Sequence, residues 1–163
     1  MNDLKTLIEA FPRIFRGEPP RVMSYLSPGW ASLLTVLFGR IDQMLTDEQA
    51  RRFSVLQIKE KFGALRLYWG IDGAQQEVRV DIHQPGVERI SIRSTGGDES
   101  PDDALLRLAI SRLVQEAEAW SAEICERCGN PGVTNESGWL LTLCDEHKKA
   151  REIEYAADWG DGT

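Results

Sequence analysis

The chain has 163 residues, 42% of them hydrophobic and 28% charged, which suits one ordinary domain or a domain with a small appendage. No run of about 18 apolar residues is present to span a membrane, and Met1-Asn2-Asp3-Leu4-Lys5 lacks the basic start of a signal peptide, so a reducing cytoplasm is expected. The net charge of −7 disfavours polyphosphate partners and is uneven: residues 51–70 hold five basic side chains against Glu60, whereas residues 71–163 hold nine basic against nineteen acidic.

Leu4, Leu7, Ile8 and Phe11 recur at helical spacing and predict a helix over 3–11, limited by Pro12. Gly17, Pro19 and Pro20 mark a loop. Ser27-Pro28 then offers an N-cap and a proline at the first helical position. Trp30, Leu33, Leu34, Leu37, Phe38, Ile41, Met44 and Leu45 carry the helical pattern over 28–45. Gly39 weakens that helix by about 1 kcal/mol relative to alanine.

From residue 53 the period changes to two. Leu56 and Ile58 alternate with Gln57 and Lys59, and Leu65, Leu67 and Trp69 alternate with Arg66 and Tyr68. This predicts a hairpin with strands over 53–59 and 64–70. A second pair is expected over 76–83 and 88–94, from Val78, Val80 and Ile82, then Ile90 and Ile92, joined through Gln84-Pro85-Gly86. Together they predict a four-stranded antiparallel sheet with one covered face. Ser100-Pro101 repeats the cap-and-proline signal. Leu106, Ala109, Ile110, Leu113, Val114, Ala117, Trp120 and Ile124 follow as a long helix, 101–122, that covers the sheet. The expected class is α+β, with residues 1–122 as the main domain and 123–157 as a zinc finger.

Three cysteines are an odd set for disulfides, and they suit a metal site completed by histidine. The spacing is Cys125-x2-Cys128-x15-Cys144-x2-His147. Zinc takes four such ligands at tetrahedral corners, and two ligands separated by two residues reach one ion from a tight turn. Gly129-Asn130-Pro131-Gly132 supplies a turn after the first pair, Leu140-Leu141-Thr142-Leu143 a returning strand, and residues 145–157 a helix presenting the second pair. Knuckle, hairpin and helix describe a treble-clef-like finger. All four positions are filled by protein, so the Zn2+ is expected to be structural. The competing possibility is a redox Cys-x-x-Cys, but such pairs sit between a strand and a helix, whereas this one follows a helix.

Two stretches carry a resemblance. One is Ile58-Lys59-Glu60-Lys61-Phe62-Gly63-Ala64-Leu65-Arg66-Leu67-Tyr68-Trp69. The other is Ala117-Glu118-Ala119-Trp120-Ser121 leading to Cys125-Glu126-Arg127-Cys128-Gly129, with Gly138-Trp139 and Thr142-Leu143-Cys144-Asp145-Glu146-His147. With Phe11-Pro12-Arg13-Ile14-Phe15 and Gly29-Trp30, they resemble an uncharacterised family of small zinc-finger-containing proteins from proteobacteria and their phages. In that family the Lys-Phe-Gly strand leads quickly to the long helix; here residues 71–99 intervene. The resemblance implies zinc and a mobile-element setting of defence, counter-defence or toxin immunity, and it names no reaction.

Outside the cysteine cluster no nucleophile motif or paired acid and base is evident, and His83 reads as a turn residue. The expectation is therefore a non-enzyme: an acidic protein-binding protein, specifically an immunity protein that neutralises a basic toxin domain. The alternative is a phage or mobile-element regulator that contacts nucleic acid through Arg51, Arg52, Lys59, Lys61 and Arg66, with Phe62 and Tyr68 stacking on bases.

Overall fold

The structure, a computed structural model, describes residues 4–22, 26–73, 77–80, 90–93, 99–136 and 138–159, with the side chains of 77–80, 90–93 and 156–159 left aside. Helix α1 (Leu4–Ala10) lies within the helix expected over 3–11 and stops before Pro12, and a further one-turn helix α2 (Pro12–Phe15) follows it. Pro12 accounts for the break: it lacks an amide hydrogen and disfavours helical backbone at Phe11, which adopts φ −125°. Both short helices face inward through Leu7, Ile14 and Phe15. Helix α3 (Ala31–Met44) follows a single 3-10 turn at Pro28–Trp30 and buries Leu34, Leu37, Phe38 and Ile41.

Helix α4 (Asp47–Arg52) has no counterpart in the sequence reading. Its first turn is closed by a reciprocal capping box. Thr46 Oγ1 accepts from the Gln49 amide at 3.2 Å, and Gln49 Oε1 accepts from the Thr46 amide at 3.1 Å. Acids at Asp47 and Glu48 and bases at Arg51 and Arg52 suit the two ends of the helix dipole.

Strands β1 (Phe53–Lys61) and β2 (Ala64–Ile71) form the expected hairpin around Phe62-Gly63. Strict alternation would carry Leu56 to the core, yet a bulge between Val55 and Gln57 shifts the face. Val55 and Ile58 are buried while Leu56 is half-buried, and the Leu56 carbonyl accepts from the Val22 amide at 2.9 Å. Opposite them, Leu65 and Leu67 are buried, and Trp69 stacks on Phe53 at 5.7 Å.

Among the described residues the expected four-stranded sheet is not seen, only two-stranded ones. Strands β3 (Glu77–Val80) and β4 (Ile90–Arg93) pair with each other, Val78 opposite Ile92, and β2 pairs with β1 alone among the described residues. Part of the free edge of β2 is taken up by helix α5 (Pro101–Ser121). Leu65 N donates to Ser121 Oγ at 2.8 Å and Leu67 N donates to Glu118 Oε1 at 3.0 Å, so these two edge amides are not open to a third strand. The connecting residues 81–89, including His83, lie outside the described residues.

Helix α5 starts at the expected cap, Ser100 Oγ accepting from Asp103 N at 3.1 Å, and buries Leu106, Ile110, Val114 and Ala117 against the hairpin and α3. Trp120 departs from the inward stripe expected of it and is 67% exposed, because Ser121 and Glu118 occupy the buried face at that level. The core thus lies between the hairpin and helices α1, α2, α3 and α5. Beyond α5 come two short strands, β5 (Val133–Thr134) and β6 (Thr142–Leu143), and the last helix, α6 (Asp145–Trp159).

Candidate metal centre

The first two ligands sit on a tight turn. The chain leaves α5 through Ala122 and Glu123 and reaches Cys125, whose amide donates to the Asn130 carbonyl at 2.7 Å. Gly129 N closes the turn onto the Cys125 carbonyl at 2.9 Å, which brings Cys128 round beside Cys125. The second pair arrives on the return. Strand β6 runs antiparallel to β5, Thr134 opposite Thr142, and delivers Cys144 to the start of α6. Lys148 N donates to the Cys144 carbonyl at 2.9 Å, so the first helical turn sets His147 over Cys144.

The four ligand atoms of Cys125, Cys128, Cys144 and His147 all lie within 4.8 Å of one another. Cys128 Sγ is 3.8 Å from Cys144 Sγ, Cys125 Sγ is 3.6 Å from His147 Nδ1, and Cys144 Sγ is 3.2 Å from that nitrogen. Metal–sulfur bonds of about 2.3 Å and metal–nitrogen bonds of about 2.0 Å give tetrahedron edges of about 3.5–3.8 Å, so these residues fit one ion. A disulfide, at about 2.05 Å, does not describe the pair. Among the described residues this is the group of His, Cys, Asp and Glu side chains able to hold a metal.

Electrostatics prepare the site for a cation. Burial pushes the Cys125 thiol up, but the backbone amides of Cys144, Cys128 and Arg127 outweigh it and bring the thiol down to about 7. At Cys128 the Asn130 amide favours the thiolate, yet burial and the neighbouring Cys125 and Cys144 thiols win, so its thiol is raised. Cys125 and Cys144 thus hold back ionisation of Cys128, a penalty that a bound dication would relieve.

The turn between the cysteines is also a dock. Glu126 is 6% exposed and binds on four sides. Its amide donates to the Thr142 carbonyl at 2.9 Å and its carbonyl accepts from Gly29 N at 2.8 Å. Oε1 accepts from Thr142 N at 2.9 Å, and Oε2 accepts from Ser27 Oγ at 3.4 Å. Burial raises its carboxyl above the ordinary range, against the opposing pull of the Thr142 amide. Ser27 was expected to cap α3; it makes no cap bond and serves Glu126 instead.

Two close approaches complete the joint. A β-carbon on Gly29 would lie 1.9 Å from the Cys125 carbonyl oxygen. At the hairpin tip, Gly63 has φ +74° and a β-carbon there would meet Thr134 Cγ2 at 2.7 Å, while its carbonyl accepts from Thr142 Oγ1 at 2.6 Å. Cysteine spacing reveals the ligands but not this joint, whose partners stand up to 99 residues apart. An acid placed between two ligands was the one visible hint.

The five basic residues do not form one patch. Lys59 and Arg66 face each other across the hairpin. Lys59 Nζ lies 4.8 Å from the Tyr68 ring and Lys61 Nζ lies 5.1 Å from the Phe62 ring. Arg51 and Arg52 stand at the other end of β1. Arg52 is engaged by Asp103 through paired bonds of 2.9 and 3.0 Å and by the Asp72 carbonyl at 3.1 Å. No helix among the described residues is long and apolar enough to cross a membrane. Comparison of the chain with protein-family models, curated proteins and solved structures gives no match.

Proposed function

We propose that this chain is a non-catalytic, zinc-stabilised acidic protein that binds another protein, and that its partner is a basic toxin domain which it neutralises. The carrying observation is the closed ligand set: three sulfurs and one nitrogen within 4.8 Å supply a full tetrahedron, with no position left for water or substrate. Turn, β5–β6 hairpin and α6 around it make a treble-clef-like finger in this reading. Zinc is favoured over other divalent ions by the thiolate-rich set. Held metal would join the end of α5 to the start of α6 and so fix the surface that the partner meets.

Charge supports the choice of partner. The chain carries −7, and filling the site, with three thiol protons lost and a dication gained, takes it to about −8. Such a field steers basic proteins inward. The mobile-element setting implied by the resemblance agrees with toxin immunity. The test joins elemental analysis, where one zinc per chain is expected, to co-expression with the product of the neighbouring gene. Absence of both a complex and protection from toxicity would end the immunity reading.

A regulator that contacts nucleic acid is the second reading, favoured by Lys59, Lys61 and Arg66 with Phe62 and Tyr68 on one hairpin. Affinity for single-stranded DNA that falls steeply with salt, and is lost when Lys59 and Lys61 become glutamine, would support it.

A further inference from the structure

The finger spends three hydrogen bonds on presenting one aromatic side chain to solvent. Asn135 Oδ1 accepts from Leu141 N at 2.7 Å, and Asn135 Nδ2 donates to the Trp139 carbonyl at 3.2 Å. Arg151 NH2, from α6, donates to the same carbonyl at 2.9 Å. The backbone of Trp139 is therefore held from two sides while its side chain stays 69% exposed. A pinned main chain beneath an exposed tryptophan does nothing for the core. It is the arrangement of a preorganised anchor, one that loses little freedom when a partner covers it.

The anchor overlooks a groove of about 950 Å³ between the β5–β6 loop and α6. Val133, 78% exposed, and Tyr155, 51% exposed, contribute apolar wall, and Glu136, Asp145 and Glu152 contribute carboxylates. Two cations, Lys148 and Arg151, also line it. Arg151 is engaged by the Trp139 carbonyl and by the Tyr155 ring at 5.2 Å, so it stiffens the wall. Three acids against Lys148 and Arg151 leave the groove with one excess negative charge beside its apolar wall, in a chain already short of positive charge after residue 70, which is complementary to a cationic segment.

We propose that this groove docks a cationic, aromatic- or aliphatic-containing segment of a partner protein, with Trp139 as the apolar anchor and Glu136, Asp145 and Glu152 receiving its charge. The proposal rests on the protein-binding reading above and names the surface for it.

A random linear peptide library displayed on phage, panned against the full zinc-loaded chain, tests this directly. Enriched sequences are expected to combine Lys or Arg with a large apolar residue. Synthesised peptides should bind Trp139→Ala about tenfold more weakly or worse. They should also lose affinity for a Glu136→Lys, Glu152→Lys double variant. Zinc stoichiometry and circular dichroism of each variant confirm that the finger is folded. Enrichment of acidic or uncharged peptides, no enrichment at all, or peptides indifferent to Trp139→Ala would overturn the proposal; so would displacement of the selected peptides by oligo(dT), which would assign the groove to nucleic acid. Were Trp139→Ala to neutralise a basic toxin undiminished, this surface would be wrong while the protein-binding reading survived.

Discussion

A methyl group on Gly29 would sit 1.9 Å from the Cys125 carbonyl oxygen and 2.7 Å from Gly129 N. Both are backbone atoms of the turn that carries two of the candidate metal ligands, so neither can swing aside as a side chain would. Gly29→Ala should therefore part the finger from the 27–30 segment and cost about 3 kcal/mol, the upper end of ordinary overpacking. Urea denaturation of the metal-loaded protein measures it, and faster metal loss to a chelator should accompany the fall. A variant as stable as the parent would show that this approach is slack. The Cys3His cluster was legible because the chelate spacing within each pair is local. Gly29, Ser27, Glu126 and Thr142 were not, because each has an ordinary local reading (turn, cap, linker, strand) and acquires its role only from a partner distant in sequence.

Helix α3 offers the opposite case. Gly39 lies mid-helix, and a β-carbon there would meet only Phe11 Cε1 at 3.9 Å, an ordinary van der Waals distance. Gly39→Ala should raise stability by about 1 kcal/mol through helix propensity, read as a higher urea midpoint at unchanged slope. Helices α3 and α5 were legible because each repeats its apolar stripe over several turns. Helix α4 has six residues, too few for periodicity, and only Thr46-x-x-Gln49 announced it. Alternation likewise identified β2 as a strand without saying what meets its edge; Ser121 and Glu118 do, from the far end of α5.

Another element-level tie gives a pH signature. Arg52 of α4 grips Asp103 of α5 with both terminal nitrogens, and this hydrogen bonding holds the Asp103 carboxyl below its usual range. A lowered carboxyl stabilises the fold while ionised. Its contribution is complete above the unfolded value of about 3.9 and is lost as pH falls through the lower folded value. Asp103→Asn should cost about 1–2 kcal/mol at neutral pH. The gap from the parent should narrow once the pH drops below about 4. Denaturation curves along a pH series would show it, and a gap unchanged in acid would rule the pair out as its source.

At the scale of the whole molecule the question is how far loss of a metal bound at the Cys3His cluster would propagate. The finger buries little of its own, chiefly Cys125, Thr142 and Leu143, whereas the main core gathers Trp30, Phe38, Phe53, Leu65 and Ile110. On the proposed reading, a structural zinc here would contribute about 10–16 kcal/mol of binding free energy, comparable to the entire stability of a domain this size at about 5–15 kcal/mol. Stripping it should melt the finger outright. The core keeps its hydrophobic packing but loses two braces, Gly29 N on the Glu126 carbonyl and Thr142 Oγ1 on the Gly63 carbonyl. Hydrogen exchange before and after chelation should then resolve three tiers. Amides of Glu126 and Thr142 lose protection completely. Those near the hairpin tip and in the 27–30 segment lose part of it. Those of mid-α5, around Ile110 and Val114, keep theirs. Uniform loss would mean that the ion supports the whole chain as one cooperative unit. Protection of Thr142 that survives stoichiometric removal would mean that the hydrogen-bonded joint alone holds the finger in place.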